Sequence, residues 1–253
     1  LFQYKVIQRT KYMYPEIQAN WTPFNAERSS IFEWFSSIYA DVVSQELFDF
    51  YCSEEMIGLL DFFVGLGFAD EVTRVIKAIE AMDGSEKHRI ALAEDFKTLF
   101  LTKKAETVPP LASAYLATED IEFLRNNLPL SVFLQHNKLP LNPDFNEAED
   151  HISVYLAAIS AWCLAVVDET DPNIMKSVAQ VQGMYLEASL LSWLDEWEQE
   201  VNEIEGTHFD FYQSITSLLY AFVELDAYVL SYEEGQEEEQ WLADTEPGGR
   251  TLH

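Results

Sequence analysis

The chain has 253 residues, a hydrophobic content of 48% and a formal net charge of −29, enough for one sizeable core or two small lobes and too apolar for disorder throughout. The charge excludes nucleic acid as a partner, because a phosphate backbone requires clustered lysines and arginines, and it disfavours insertion into an anionic membrane. It favours cationic partners, although an acidic surface kept for solubility or salt tolerance would give the same charge.

Basic residues outnumber acidic ones in residues 1–28, and helical periodicity is poor there. This pattern predicts an N-terminal extension that packs on the surface or is mobile. From Ser29 or Ser30 onward, apolar residues recur at helical spacing up to Leu101, with breaks at glycines. Residues 29–105 are therefore predicted to form an N-terminal helical lobe.

Prolines interrupt the next segment, residues 106–145, at positions 109, 110, 129, 140 and 143. Only one helix is predicted there, from about Ile121 to Asn137. We interpret the segment as a hinge between two lobes. If it extends, two chains can exchange lobes, so the sequence is compatible with a monomer or a domain-swapped homodimer.

A second helical lobe is predicted over residues 146–232. Asn146 can cap its first helix, and Glu149 can reach back to the N–H of the cap. Further helices are predicted from about residue 174 to 203 and from 209 to 232, and the acidic tail 233–253 is predicted to be disordered. Alternating strand patterns are absent, so the fold class is all-α.

Two distant cysteines, Cys52 and Cys163, make a disulfide framework improbable, and no secretory signal is recognisable near the start. Together these features predict a cytoplasmic protein. Cys163 lies in the most apolar helix, where a thiol usually fills the core and is inert.

A carboxylate-bridged metal enzyme on a helix bundle is one alternative. It requires paired Glu-x-x-His motifs, and the chain offers Glu205 to His208 at a helix break, with no second inward pair. No phosphate-binding or dinucleotide-binding glycine motif is present. The sequence thus predicts no metal, no cofactor and no catalytic residue, and a bare acidic domain that recruits a basic protein is a further alternative.

The adjacent residues Asp150 and His151 are not required for capping the helix that they are predicted to begin. A carboxylate beside an apolar helix face suits a basic, partly apolar peptide, because arginine–carboxylate hydrogen bonds are strong. The alternative is that Asp150 serves only the helix start and that His151 is a satisfied, partly buried histidine.

Four segments resemble the TorD/DmsD/NarJ family of redox-enzyme maturation chaperones, most closely its TorD-type members. They are residues 92–101, the Ala-Ser-Ala-Tyr element at 112–115, the Asn146 to His151 signature, and the closing helices, represented by residues 192–194 followed by 209–226. The resemblance implies an all-helical, non-catalytic cytoplasmic chaperone. Such a chaperone binds the twin-arginine signal peptide and the apo form of a molybdenum-cofactor oxidoreductase of the trimethylamine N-oxide reductase type, assists cofactor insertion and proofreads before export.

The resemblance also implies the residues of a peptide-binding groove. It assigns peptide contacts to Asp150 and His151, with Glu147 of the same acidic signature as a further candidate, and groove positions that comprise Leu99, Phe100, Pro110 and Tyr115. Ala148 replaces the usual proline of the signature, and Leu111 replaces the usual first aromatic residue of the Tyr-x-Ser-x-Tyr element. GTP binding is suggested for some members of the family, and nothing in this sequence supports a nucleotide site.

Overall fold

A computed structural model of the chain describes residues 17–101, 107–127 and 150–231. Its helices are α1 (Trp21–Ala40), α2 (Gln45–Tyr51), α3 (Glu54–Leu66), α4 (Ala69–Glu80), α5 (Glu86–Phe96), α6 (Thr118–Asn127), α7 (Ile152–Ala165), α8 (Pro172–Leu186), α9 (Ser192–Glu203) and α10 (Phe211–Ser231). Within these ranges the only strand-like pairing is one isolated bridge between Leu111 and His151. The all-α prediction is confirmed.

Short polar side chains begin several of these helices. The hydroxyls of Ser44, Ser53 and Ser85 accept hydrogen bonds from backbone N–H groups three residues on, at the starts of α2, α3 and α5. The carboxylate of Asp171 accepts from the Asn173 N–H, two residues on, at the start of α8, which opens with a proline. Gly67 ends α3 with a φ of 104°, a left-handed conformation that glycine adopts without a Cβ clash.

Two π-helical turns continue longer helices. Lys97–Leu101 extends α5, and Glu187–Leu191 joins α8 to α9, so that a helical path runs from Pro172 to Glu203. A π turn inserts extra backbone into the helical ladder and shifts the face that follows it. The predicted helix from about 174 to 203 is therefore present, with a change of face in its middle.

Helix α10 is central. It packs against α4, α8 and α9 and is buried along most of its length. Its length and mean hydropathy would suffice to cross a membrane, but 67% of that window is buried inside the protein, as in the core helix of a globular fold. Phe222 of α10 packs against Phe35 of α1 and Phe63 of α3 at ring-centroid distances of 6.1 and 5.8 Å.

The N-terminal and C-terminal halves share one hydrophobic core among the described residues, because α1 packs along α7 and α4 packs against α10. This differs from the predicted separation into two lobes at 29–105 and 146–232. The hinge around Pro140 and Pro143 lies outside the described residues, as do the tail 233–253 and the end of the helix predicted to reach Asn137. The lobe exchange stays a prediction.

Helix α1 begins at Trp21 and not at Ser29 as predicted. Trp21 is 3% exposed and its indole N–H donates to the Val166 carbonyl, so residues 21–28 belong to a packed helix and are no extension. Arg28 is also buried, in a bidentate hydrogen bond with Asp226 of α10. An arginine on an apolar helix face interrupts the hydrophobic periodicity of that face. The sequence does not reveal that this arginine is buried, because its partner lies 198 positions along the chain.

Gly183 of α8 faces the end of α10 with no room for a side chain. A Cβ built there would lie 2.5 Å from Ser231 Oγ and 3.3 Å from Leu230 Cβ. We expect Gly183→Val to reduce the free energy of unfolding by about 1–3 kcal/mol, because overpacking forces helices apart. The control is Gly58→Val on α3, where nothing lies within 4 Å, and its expected change is within about 0.5 kcal/mol. Urea denaturation of both variants measures the difference, and equal stabilities would contradict this packing.

Candidate functional site

The loop that follows the π turn after α5 is held against the helices by backbone groups. The Val108 N–H donates to the Leu99 carbonyl at 3.0 Å, and the Trp197 indole N–H donates to the Val108 carbonyl at 3.1 Å. The loop therefore starts at a fixed position between α5 and α9. Pro110, the next residue but one, is buried.

Residues 110–112 of this loop pair with residues 150–152. The Ile152 N–H donates to the Pro110 carbonyl at 2.9 Å, and the Ala112 N–H donates to the Asp150 carbonyl at 3.0 Å. Leu111 and His151 are the centre of this short antiparallel bridge. Two segments of the predicted site, nearly 40 positions apart in the sequence, are thus brought together by main-chain hydrogen bonds.

Asp150 adds a side-chain contact to this pairing. Its Oδ2 accepts a hydrogen bond from the Ser113 N–H at 3.0 Å, and the side chain is half-buried. Its other carboxylate oxygen makes no hydrogen bond with a residue in the described ranges. The carboxylate therefore has a fixed orientation and retains acceptor capacity for a cationic ligand.

His151 has a structural role that differs from the predicted peptide contact. It is 6% exposed and is the N-cap of α7, where its Nδ1 accepts a hydrogen bond from the Ser153 N–H at 3.2 Å. Burial lowers the pKa of the imidazole to about 4, against a smaller raising effect of Asp150. The ring is therefore neutral at physiological pH and is not a charged ligand group.

The predicted start of helix α7 was wrong. Helix α7 begins at Ile152, so Asn146 is not its cap, and Asp150 and His151 precede its first turn. The physical reason is that the Ile152 N–H and the Asp150 carbonyl bind the loop at Pro110 and Ala112 and not a preceding helical turn. Glu147, the third acidic candidate, lies outside the described residues.

Leu99 and Phe100 support the loop and do not line a surface, which corrects their predicted place in a groove. Leu99 is 0% and Phe100 is 5% exposed. The Phe100 ring packs between Tyr39, Trp197 and Tyr212 at centroid distances of 5.7 to 6.0 Å. Their side chains are in the core because the π turn directs them inward, while the Leu99 carbonyl binds the loop.

Tyr115 lies at the far end of the same loop. Its hydroxyl donates to Glu200 Oε2 at 3.2 Å, and its ring stacks on Trp193 with centroids 5.7 Å apart and an interplanar angle of 19°. Burial, then the charge of Glu200 and the hydrogen bond to it, and the charge of Glu196 all raise the pKa of the phenol. Tyr115 is thus a neutral donor in an acidic setting.

Helix α9 contributes residues that the sequence reasoning missed. Trp193, Trp197 and Glu200 recur at spacings of four and three, which places them on one helix face towards the loop. That face was visible as a periodic pattern, although nothing in it indicated contact with residues 108–115. We name the exposed and half-buried residues Leu111, 113–115, Asp150, Glu196 and Glu200 the loop–α9 surface, and Trp193 lies buried beneath it.

The loop–α9 surface is strongly acidic. Glu196 and Glu200 of α9 lie beside the loop with Asp150, and helix α9 has no lysine or arginine over Ser192–Glu203. No ion pair involves Asp150, Glu196 or Glu200 within the part of the chain that the structure describes. A surface of this kind binds a cation, and arginine most strongly because its guanidinium donates two parallel hydrogen bonds to a carboxylate.

The described residues show no arrangement for nucleophilic or metal chemistry. Burial raises the pKa of the Cys163 thiol to about 12, so it is not a thiolate at neutral pH. Within residues 17–101, 107–127 and 150–231, no three His, Cys, Asp or Glu side chains are grouped to hold a metal ion. His208, the candidate ligand near Glu205, instead hydrogen-bonds to Asp95, whose Oδ1 is the acceptor and lies 2.8 Å from the histidine Nδ1.

Comparison with known proteins identifies the family of the chain. The model of a family described as nitrate reductase delta subunit matches residues 67–199. A chaperone protein TorD of Vibrio atlanticus is 31% identical over 219 residues, which cover 83% of this chain and 97% of the relative. Those of Psychrobacter sp. and Photobacterium profundum are 29% and 28% identical, each over 83% of this chain and over 94% and 97% of the relative. This chain therefore belongs to the TorD/NarJ family of chaperones.

Proposed function

We propose that this chain is a cytoplasmic chaperone for the maturation of a molybdoenzyme, and that it binds the twin-arginine signal peptide of the precursor at the loop–α9 surface. It holds the apoenzyme in a form competent for cofactor insertion and delays export until insertion is complete. Membership of a family of maturation chaperones supports the molybdoenzyme precursor as client. A client of the trimethylamine N-oxide reductase type fits the TorD relatives.

One observation carries the peptide-binding part of the proposal. Asp150 is fixed through one oxygen by the Ser113 N–H, and the loop that supplies this N–H is itself held to α9 through Tyr115. A carboxylate that is already positioned lowers the entropy cost of binding an arginine side chain. The apolar part of a signal peptide then has half-buried Leu111 and Leu116 of the same loop beside the charge.

The expected affinity suits a client that is later released. A hydrogen bond to a charged group contributes about 1.5–3 kcal/mol. Two such bonds with a few buried apolar side chains give roughly −8 kcal/mol, a dissociation constant near the micromolar range. The net charge of −29 adds electrostatic steering that weakens as salt rises.

The proposal includes no cofactor of the chaperone itself, and GTP rests on the resemblance alone. A monomer and a domain-swapped homodimer both satisfy it. The second candidate function is an acidic domain that recruits some other basic protein, which the five carboxylates of α9 also favour. The two differ in whether a twin-arginine leader is selected over other basic peptides.

The test is Asp150→Asn, which keeps an acceptor for the Ser113 N–H and removes the charge. We expect the affinity for a synthetic peptide with two adjacent arginines and an apolar stretch to fall about tenfold, because one charge-assisted hydrogen bond becomes neutral. Isothermal titration calorimetry measures the affinity. Urea denaturation of the variant is expected to give the same free energy of unfolding as that of the parent chain.

The matched control is Asp168→Asn, an exposed aspartate beyond the opposite end of α7, roughly 20 Å from Asp150 along a helix of this length. It makes the same change of net charge away from the surface, and its affinity is expected to stay within twofold of the parent. Equal losses of affinity in the two variants would mean that the net charge of the protein, and not a contact with Asp150, determines the affinity. An unchanged affinity in Asp150→Asn would remove this residue from the site.

A further inference from the structure

A second carboxylate of the loop–α9 surface is held in place much as Asp150 is. Glu200 lies on α9, and its Oε2 accepts the hydrogen bond from Tyr115 at 3.2 Å. Asp150 is bound to Ser113, only two residues before Tyr115. Two residues span at most about 7 Å of extended chain, so one short stretch of loop positions both carboxylates.

The donor that holds Glu200 is neutral, which leaves the carboxylate charge uncompensated. No lysine or arginine lies on α9, and Glu200 has no ion-pair partner in the described ranges. An ionised carboxylate has about four acceptor sites, and the Tyr115 hydroxyl occupies one of them. The remaining oxygen and lone pairs can accept a guanidinium.

The Tyr115 ring adds an independent feature that suits arginine. One face of the ring is covered by the buried Trp193, with nearly parallel planes, and the residue remains partly exposed. A guanidinium stacks on the face of an aromatic ring while its edge donates to a nearby carboxylate. Lysine lacks the planar group for such a contact, so this position discriminates between the two cations.

We infer that Glu200 and Tyr115 form a second arginine subsite, which binds one of the two adjacent arginines of the leader while Asp150 binds the other. The inference rests on the proposed function and adds to it an explanation of why two arginines are read and not one. Each carboxylate then pairs with one defined arginine of the peptide. Removing a carboxylate and removing the arginine that it binds abolish the same interaction. The binding free energy of that interaction is therefore lost only once when both groups are removed.

The test is a set of thermodynamic cycles between protein and peptide. Parent chain, Glu200→Gln and Asp150→Asn are titrated by calorimetry with three synthetic peptides, in which the arginine pair is intact, has glutamine first, or has glutamine second. Glu200→Gln retains an acceptor for the Tyr115 hydroxyl. We expect it to weaken binding of the intact peptide about tenfold and to weaken one singly substituted peptide by less than twofold. Asp150→Asn is expected to show the reverse preference.

Asp195→Asn is the control on the same helix. This residue lies beside Glu224 of α10, where its charge contributes to a raised pKa, and so it is on the side away from the loop. Its affinities for all three peptides are expected to stay within twofold of the parent. Equal losses of Glu200→Gln on all three peptides, or no loss at all, would overturn the second subsite while binding by the parent chain upholds the proposed function. Failure of the parent chain to bind the intact peptide would overturn both.

Discussion

Replacing Arg28 by methionine is expected to lower the free energy of unfolding by about 3–5 kcal/mol, the cost of leaving a buried charge without its partner. Arg28 is 3% exposed and donates to both oxygens of Asp226 at 2.8 Å and to Gln182 Oε1 at 2.7 Å. Its guanidinium also lies 5.1 Å from the centre of the Phe24 ring. Without it, the Asp226 carboxylate remains in the core where α1, α8 and α10 meet.

Urea denaturation of three variants tests this expectation. Asp226→Leu alone leaves the guanidinium unpaired and is expected to cost a similar amount, while the double variant Arg28→Met with Asp226→Leu is expected to recover part of the loss. The recovery follows because apolar groups of similar size replace both ions, as for other buried pairs. A loss below about 1 kcal/mol in the single variant, or strictly additive losses in the double variant, would contradict a buried ion pair.

The stability of the chain is expected to fall between pH 6.5 and pH 4 because of His151. Its pKa in the folded chain is about 4, below the ordinary value of about 6.5, so the unfolded chain binds the proton more tightly. The contribution is therefore fully present above pH 6.5 and is lost as the pH falls towards 4. Its size is about 2–3 kcal/mol.

The matched variant is His151→Asn, since asparagine also caps a helix and does not titrate. Carboxylates titrate in the same range in both proteins, so the informative quantity is the difference between their unfolding free energies at each pH. That difference is expected to shift in favour of the asparagine variant by about 2–3 kcal/mol between pH 7 and pH 4. A difference that does not change with pH would mean that the histidine is protonated in the folded chain at no cost.

Helical periodicity was sufficient for the fold class, and it failed where a polar residue enters the core. Arg28 and Asn25 are buried on α1, and their polar character concealed the first two turns of that helix. The partners of Arg28, which are Asp226 and Gln182, lie far away in the sequence, so no local pattern reports the pairing. A helix start defined by long-range hydrogen bonds requires the tertiary structure.

The candidate site was located in part. Asp150, Pro110 and Tyr115 were selected from the sequence, and the structure brings them together at one loop through the main-chain bridge at residues 110–112 and 150–152. His151 was selected as well, but the hydrogen bond that its ring accepts from the Ser153 N–H shows that it is the N-cap of α7. The sequence marked the two residues as a pair, and only the geometry separates a half-buried carboxylate from a buried, neutral ring.

Two other residues were assigned to the site by the family resemblance. Leu99 and Phe100 come before the loop in sequence, yet the π turn of Lys97–Leu101 places their side chains in the core. Glu200 was missed, since it lies 85 positions from Tyr115 and resembles any other acidic residue on a solvated helix. The acidic face of α9 can be recognised as part of a binding site only in the tertiary structure, where the loop lies against it.

Hydrogen–deuterium exchange of the parent chain with and without the twin-arginine peptide tests the central claim most directly, because it reports where the peptide binds. The claim requires slower exchange at residues 108–116 and in the first turn of α7, with little change on α3. That helix presents the exposed apolar residues Ile57 and Val64 and is the competing surface. Protection confined to α3, with residues 108–116 unchanged at saturating peptide, would contradict binding at the loop–α9 surface.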